Sequence, residues 1–174
     1  MAKQVNGHPG GVTSASFSPD GSRLLTASSD GTARVWDART GAALLTLKGH
    51  AFWLYSASFS ADGSRVVTAS WDKTARVWDA RSGAEVLTLK GHTGAVMSAS
   101  FSPDGSRLVT GSYDNTARVW DAWSGAEVLT LKGHTHLVWS AAFSPDGARI
   151  LTAGDNTARV WAAPAPRDRP PEGK

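Results

Sequence analysis

The chain contains no cysteine, which excludes disulfides and thiolate metal sites and leaves the redox compartment open. No apolar run approaches the roughly 18 residues that a membrane-spanning helix needs. The opening Met1-Ala2-Lys3-Gln4-Val5-Asn6 lacks the apolar segment of a signal peptide. These absences lead to the expectation of a cytoplasmic protein with no membrane contact. Helical periodicity is also missing from every window. Charge is sparse and dispersed: 19% of residues are charged and the formal net charge is +3. Arg23, Arg65, Arg107 and Arg149 recur at one spacing, and Arg34, Arg76, Arg118 and Arg159 recur at almost the same one. Charge distributed in this way does not gather into the concentrated footprint that nucleic-acid binding requires.

What is present is a repeat. Gly-His occurs at Gly7-His8, Gly49-His50, Gly91-His92 and Gly133-His134, a constant step of 42 residues (50 minus 8, and so on). Each Gly-His leads into a small-and-apolar run, a Ser-x-Asp-Gly turn, a second run, and Asp-x-x-Thr-Ala-Arg-Val-Trp or a close variant. Such a period marks one supersecondary unit copied in series, with each copy burying its faces against its neighbours. In the second unit, Leu54–Phe59, Arg65–Ser70, Ala75–Asp79 and residues 85–90 read as four short strands separated by turn residues. That pattern predicts an antiparallel meander.

Gly-His at the start, Ser-Pro-Asp-Gly at the first turn and Trp-Asp at the end of the third strand resemble the WD40 repeat. The resemblance covers residues 7 to about 161 in four in-phase copies. It implies an all-β chain, a β-propeller with one four-stranded blade per repeat: 7–48, 49–90, 91–132 and 133–161. A fold this widely used says little by itself about function.

Each repeat also carries His, Ser, Asp and Trp at fixed offsets, which invites a catalytic reading. The resemblance implies a hydrogen-bonded brace instead: His8, Ser28, Asp30 and Trp36; His50, Ser70, Asp72 and Trp78; His92, Ser112, Asp114 and Trp120. An indole N–H, a hydroxyl and an imidazole can relay hydrogen bonds to a carboxylate that would be costly to bury alone. In the fourth repeat, one residue shorter, only His134, Asp155 and Trp161 remain, and this blade is expected to be the least well braced. No unique catalytic constellation, cofactor or metal site is expected, and His136 reads as a loop residue.

The repeats diverge after Gly-His and just before the brace aspartate. Trp53, Tyr55, Trp71, Met97, Tyr113, Leu137 and Trp139 fall in these segments. By resemblance, these positions share one rim of a propeller, where an aromatic cluster has the composition of a binding surface. Trp123 reads as a lone exposed aromatic on the opposite rim.

The ends add an expectation of their own. Residues 1–6 stand in the register of a fourth strand, whereas the fourth repeat runs into a Pro-rich stretch, 162–174, expected to be disordered. Four blades are few for a WD40 ring. The expectation is therefore a homodimer in which two chains close one eight-bladed ring, each lending its first strand to the other. A four-bladed monomer ranks second, and the uniformity of the copies also suits a recently amplified array, a fragment of a longer one, or an engineered sequence. The functional expectation is a non-catalytic scaffold that binds an unidentified protein or peptide through the aromatic rim. The alternatives are a purely structural, self-assembling propeller of natural or engineered origin, and a small-molecule or glycan binder at the channel mouth.

Overall fold

Short runs of alternating small and apolar residues, punctuated by Asp-Gly and Ser-Gly turns, fold as strands throughout the computed structural model, which describes residues 4–5 and 7–166. The first sheet is β1 (Val12–Phe17), β2 (Arg23–Ser28), β3 (Thr32–Asp37) and β4 (Ala43–Lys48). The second is β5 (Leu54–Phe59), β6 (Arg65–Ser70), β7 (Ala75–Asp79) and β8 (Glu85–Leu89). The third is β9 (Val96–Phe101), β10 (Arg107–Ser112), β11 (Thr116–Asp121) and β12 (Glu127–Lys132). The fourth has three strands, β13 (Val138–Phe143), β14 (Arg149–Gly154) and β15 (Thr157–Ala162). Every sheet is an antiparallel meander in sequence order. No helix is long and apolar enough to cross a membrane among the described residues.

The first hairpin of each blade closes on a glycine in the left-handed region, with φ of 70°, 68°, 69° and 68° at Gly21, Gly63, Gly105 and Gly147. A side chain would be strained in that conformation, which explains why Asp-Gly recurs there. The aspartate before it organises the turn: Asp20 Oδ1 accepts the Ser22 N–H at 3.1 Å, and Asp62 Oδ1 accepts the Ser64 N–H at 3.0 Å.

The core lies between blades. One face of the first blade (Leu25, Ala27, Ala33, Val35, Leu47) meets the opposite face of the second (Leu54, Ala57, Val66, Trp78, Ala80). The same positions one repeat on, Val67, Ala69, Ala75, Val77 and Leu89 against Val96, Ala99, Leu108, Trp120 and Ala122, make the second layer. The third joins Val109, Ala117, Val119 and Leu131 to Val138, Ala141 and Ile150. A blade therefore has a leading and a trailing face, and each buries most of its apolar surface against a neighbour.

An arginine fastens each layer. Arg23 donates from its two terminal nitrogens to the Ala80 and Gly63 carbonyls, both at 2.8 Å, and its guanidinium lies 5.0 Å from the centre of the Phe59 ring. Arg65 repeats this with Ala122, Gly105 and Phe101. Arg107 bonds the Pro164 carbonyl and covers Phe143 at 5.0 Å. Residues that composition alone treats as dispersed charge are thus interlocks between sheets. Trp123 belongs to the same arrangement. The Arg65 guanidinium stacks over it at 4.1 Å, so it is not a lone exposed ring.

The chain ends differ from the expectation in detail. Gln4 and Val5 carry no strand structure, and the rest of 1–6 lies outside the described residues. Of 162–174, Ala162 completes β15, and the Ala163 N–H donates to the Ala148 carbonyl at 2.9 Å. Residues 167–174 lie outside the described residues.

Candidate binding rim and the bracing networks

In every blade a histidine bridges a carboxylate and a hydroxyl. His8 Nδ1 lies 2.8 Å from Asp30 Oδ2, and its Nε2 lies 2.7 Å from Thr26 Oγ1. The Trp36 indole N–H donates to the same Thr26 oxygen at 2.9 Å. With Nδ1–H donated to the carboxylate, Nε2 accepts the threonine proton, which leaves Thr26 Oγ1 free to accept from the indole. The sets built on His50 (Asp72, Thr68, Trp78) and His92 (Asp114, Thr110, Trp120) repeat this arrangement.

The hydroxyl in the network is therefore a threonine, not the expected serine. Ser28, Ser70 and Ser112 take a different part. Each accepts the N–H of its blade's aspartate, from Asp30, Asp72 and Asp114, at 3.1 Å. Ser70 also donates to the Trp53 carbonyl, and Ser112 to that of Gly94. They tie turn backbone together and do not bridge His to Trp. The fourth blade consequently keeps every link: His134–Asp155 at 2.7 Å, His134–Thr152 at 2.8 Å and Trp161 to Thr152 at 2.8 Å. Gly154 pairs with Val138 as Ser112 pairs with Val96. Gly154 is thus the serine position, and the missing residue is the one that Trp71 and Tyr113 occupy in their own repeats. Threonine at 26, 68, 110 and 152, constant even in the shortened repeat, was the sequence signal for the true partner.

The carboxylates are held well below their usual range. Burial pushes Asp72 upward, but hydrogen bonds from His50 and Thr74 outweigh it. Asp114 follows the same logic with His92 and Thr116. Asp155 is lowered by Thr157, the Thr135 N–H and His134. An Asp-His-hydroxyl relay has the outline of a hydrolase triad. Here, however, Thr26, Thr68, Thr110 and Thr152 are all buried and already accept an indole proton. A nucleophile closed off in this way has no path to a substrate. No group of three or more potential metal ligands occurs among the described residues.

The rim is built by irregularities in the sheets. The pairing of the first two strands in a blade slips between Leu54 and Ser56, between Val96 and Ser98, and between Val138 and Ser140. Tyr55, Met97 and Trp139 are the residues skipped. A bulge re-aims its extra side chain, and these three leave the inter-blade layers for that reason. Trp71 and Tyr113 come up beside them from the turns between the second and third strands, anchored by backbone bonds to the Trp53 and Ala95 carbonyls at 2.9 Å.

The rings form a continuous line across three blades. Tyr55 and Trp71 are 6.0 Å apart between centroids, Trp71 and Tyr113 5.8 Å, and Tyr113 and Trp139 6.3 Å, the last two edge-on. Trp71, Tyr113 and Trp139 remain about half exposed. Burial, with the Tyr113 phenol nearby, pushes the Tyr55 hydroxyl above its usual value. Phe52, Trp53 and Trp71 line an open cavity of about 510 Å³. Phe52 was not among the expected rim residues, and the signal for it was its place in the same variable segment. Lys73 borders Trp71 and Tyr113. Met97 is buried and Leu137 half-buried, so neither contributes an exposed face comparable to its neighbours.

Comparison with known proteins agrees with this geometry. The family model described as WD domain, G-beta repeat matches residues 2–37, 41–79, 83–121 and 125–162. Human WD repeat-containing protein 86 is 52% identical over 42 residues, which is 24% of this chain and 11% of that protein. Ribosome assembly protein 4 of Chaetomium thermophilum is 46% identical over 50 residues, 28% of this chain and 10% of that protein. The match thus spans about a tenth of either relative. Four successive family matches coincide with four β-meanders, each carrying the same His-Asp-Thr-Trp network, and the chain belongs to the WD40 repeat family.

Proposed function

We propose that the chain is a non-catalytic scaffold that binds a protein or peptide through its aromatic rim, and that it works as a two-chain ring of eight blades. The family is in general one of protein-interaction scaffolds, and the coarse reading rests there. The observation that carries the finer reading is the line Trp71, Tyr113 and Trp139. Three rings from three blades touch in series while each keeps about half its surface in solvent. Rings that served only to join blades would be covered by them. Phe52 and Trp53, both largely exposed, extend the same apolar strip. Half-exposed aromatic rings supply large contact area at low conformational cost, which is the usual make-up of an energetic hot spot.

A peptide-array screen with the labelled chain supplies a ligand. The Trp71→Ser, Tyr113→Ser double variant is then expected to bind it at least about tenfold more weakly while remaining folded by circular dichroism. Undiminished binding would remove the rim from the function. Binding to a glycan array with none to peptides would replace the partner class.

A further inference from the structure

The two end blades expose matching halves of one missing layer. Leu54 and Val109, at inter-blade positions inside the chain, are 0% exposed, whereas their equivalents Val12 and Leu151 are 57% and 51% exposed. Phe17 and Val160 are likewise open, at 67% and 65%. The three layers already formed show what covers such faces. A trailing face of the pattern Leu25, Ala27, Ala33, Val35 packs on a leading face of the pattern Leu54, Ala57, Val66, Trp78, Ala80. The fourth blade presents that trailing face as Leu151, Ala153, Ala158 and Val160. The first presents that leading face as Val12, Ala15, Leu24 and Ala38, around a Trp36 that is already buried.

The polar fittings are divided in the same way. Arg23, Arg65 and Arg107 each cover the phenylalanine of the next blade, at 5.0, 4.9 and 5.0 Å. The backbone N–H of Arg149, their counterpart, donates to Ser144 Oγ at 3.0 Å, but its guanidinium makes no hydrogen bond among the described residues and has the Asp146 charge nearby. Among the described residues, Phe17 is the phenylalanine of the series without an arginine over it. Val5 supplies a third sign. Leu47 and Leu89, in outer strands, approach the turn glycine of the following blade, lying 3.5 Å from the Cβ positions of Gly83 and Gly125. Val5 stands 3.7 Å from that of Gly41, in the place of an outer strand belonging to a blade before the first. Among the described residues, the fourth blade has no such strand.

We infer that a second copy of this chain completes the layer, with Arg149 donating to the carbonyls of the partner's Gly21 and the partner's Ala38 and lying over the partner's Phe17. The register follows from the intact junctions. Arg23 and Arg65 bond residues 40 and 57 positions ahead, and the same steps from Arg149, carried over the junction, end at those two carbonyls. Ala99 and Ala141 donate their N–H groups to Ser56 and Ser98 at 3.2 and 3.0 Å. By the same step, Ser140 accepts the N–H of the partner's Ala15. The contact is head-to-tail, and a two-fold ring contains it twice. This inference rests on the two-chain reading above and assigns its contacts.

Light scattering on the intact chain is expected to report twice the 18.3 kDa chain mass. Arg149→Ala should raise the concentration at half-dissociation by about tenfold or more, since charged hydrogen bonds are lost at both junctions. In the cysteine-free background, Ser140→Cys with Ala15→Cys should oxidise to a disulfide between chains. The control pair Ser56→Cys with Ala99→Cys should close within one chain. A persistent monomer overturns the two-chain reading itself. A dimer indifferent to Arg149→Ala, in which only the control pair oxidises, overturns the junction and leaves the dimer standing. A disulfide between 15 and 140 inside one chain means four-bladed closure, and masses above two chains mean an open array. Either of these overturns the closed pair.

Discussion

The Thr68 hydroxyl oxygen accepts the indole N–H of Trp78 at 2.9 Å while facing His50 Nε2 at 2.8 Å. One side chain thus satisfies two buried rings. Thr68→Val keeps the shape and removes both bonds, leaving two buried polar groups unpaired. A loss of about 2–6 kcal/mol is expected in chemical denaturation, at about 1–3 kcal/mol for each of the two orphaned groups. Thr110→Val should match it. Thr152→Val should cost less, because the three-stranded fourth sheet leaves Trp161 half open to water and not because its serine is missing. A smaller loss at Thr68 than at Thr152 would contradict this ordering.

Restoring the repeat consensus at the shortened turn is expected to do harm. A Cβ on Gly154 would lie 2.5 Å from the Leu137 carbonyl oxygen, a contact with backbone that no rotamer relieves. Gly154→Ser should therefore lower the melting temperature, although serine is the residue in the other three blades. An unchanged or higher melting temperature would show that the turn reshapes at little cost.

Stability should fall steeply in acid. The folded state lowers the pKa of Asp72 and Asp114 and holds Asp62 at about 2. A group lowered on folding contributes stability that is fully present above its unfolded pKa and is lost as pH falls through the folded one. Melting temperature is thus expected to hold above about pH 5 and to keep declining to pH 2 and below. Asp72→Asn should start lower at neutral pH and show a shallower decline. Parallel curves would mean that the acid loss comes from other carboxylates.

The aromatic line should contribute to stability as well as to binding. Trp71 touches both Tyr55 and Tyr113, and each aromatic pair is worth about 0.5–1.5 kcal/mol. A double-mutant cycle on Trp71→Ser and Tyr113→Ser should give a coupling energy of that size. A coupling near zero would show that the rings are neighbours without mutual stabilisation.

The blades were legible in the sequence because Asp-Gly turns and period-two apolar runs are local signals. Three strands of the second blade fall where the alternation places them, from Leu54–Phe59 to Ala75–Asp79, and the fourth, Glu85–Leu89, stops one residue short of the expected Lys90. The bracing hydroxyl was misplaced because Ser70 and Thr68 lie on one strand, two residues apart, and both are constant through three repeats. Only pairing register decides which faces the indole. Bulges hid in the same way. Nothing local in Tyr55 or Trp139 marks it as the unpaired residue, since a bulge is a property of two strands. The arginines were counted as scattered charge because the carbonyls they reach are 40 and 57 positions away.

That same spacing bears on how the chain folds. Turn bonds span two to five residues, the His–Asp links 21 or 22, and the arginine fastenings between blades no more than 57. Almost every contact is therefore between a blade and itself or its immediate neighbour. Closing loops of that length costs little more for the fourth blade than for the second. The slow search for distant partners that burdens many all-β topologies is shortened here. Any blade can nucleate first and template the next, so folding can spread outward in either direction from wherever it begins.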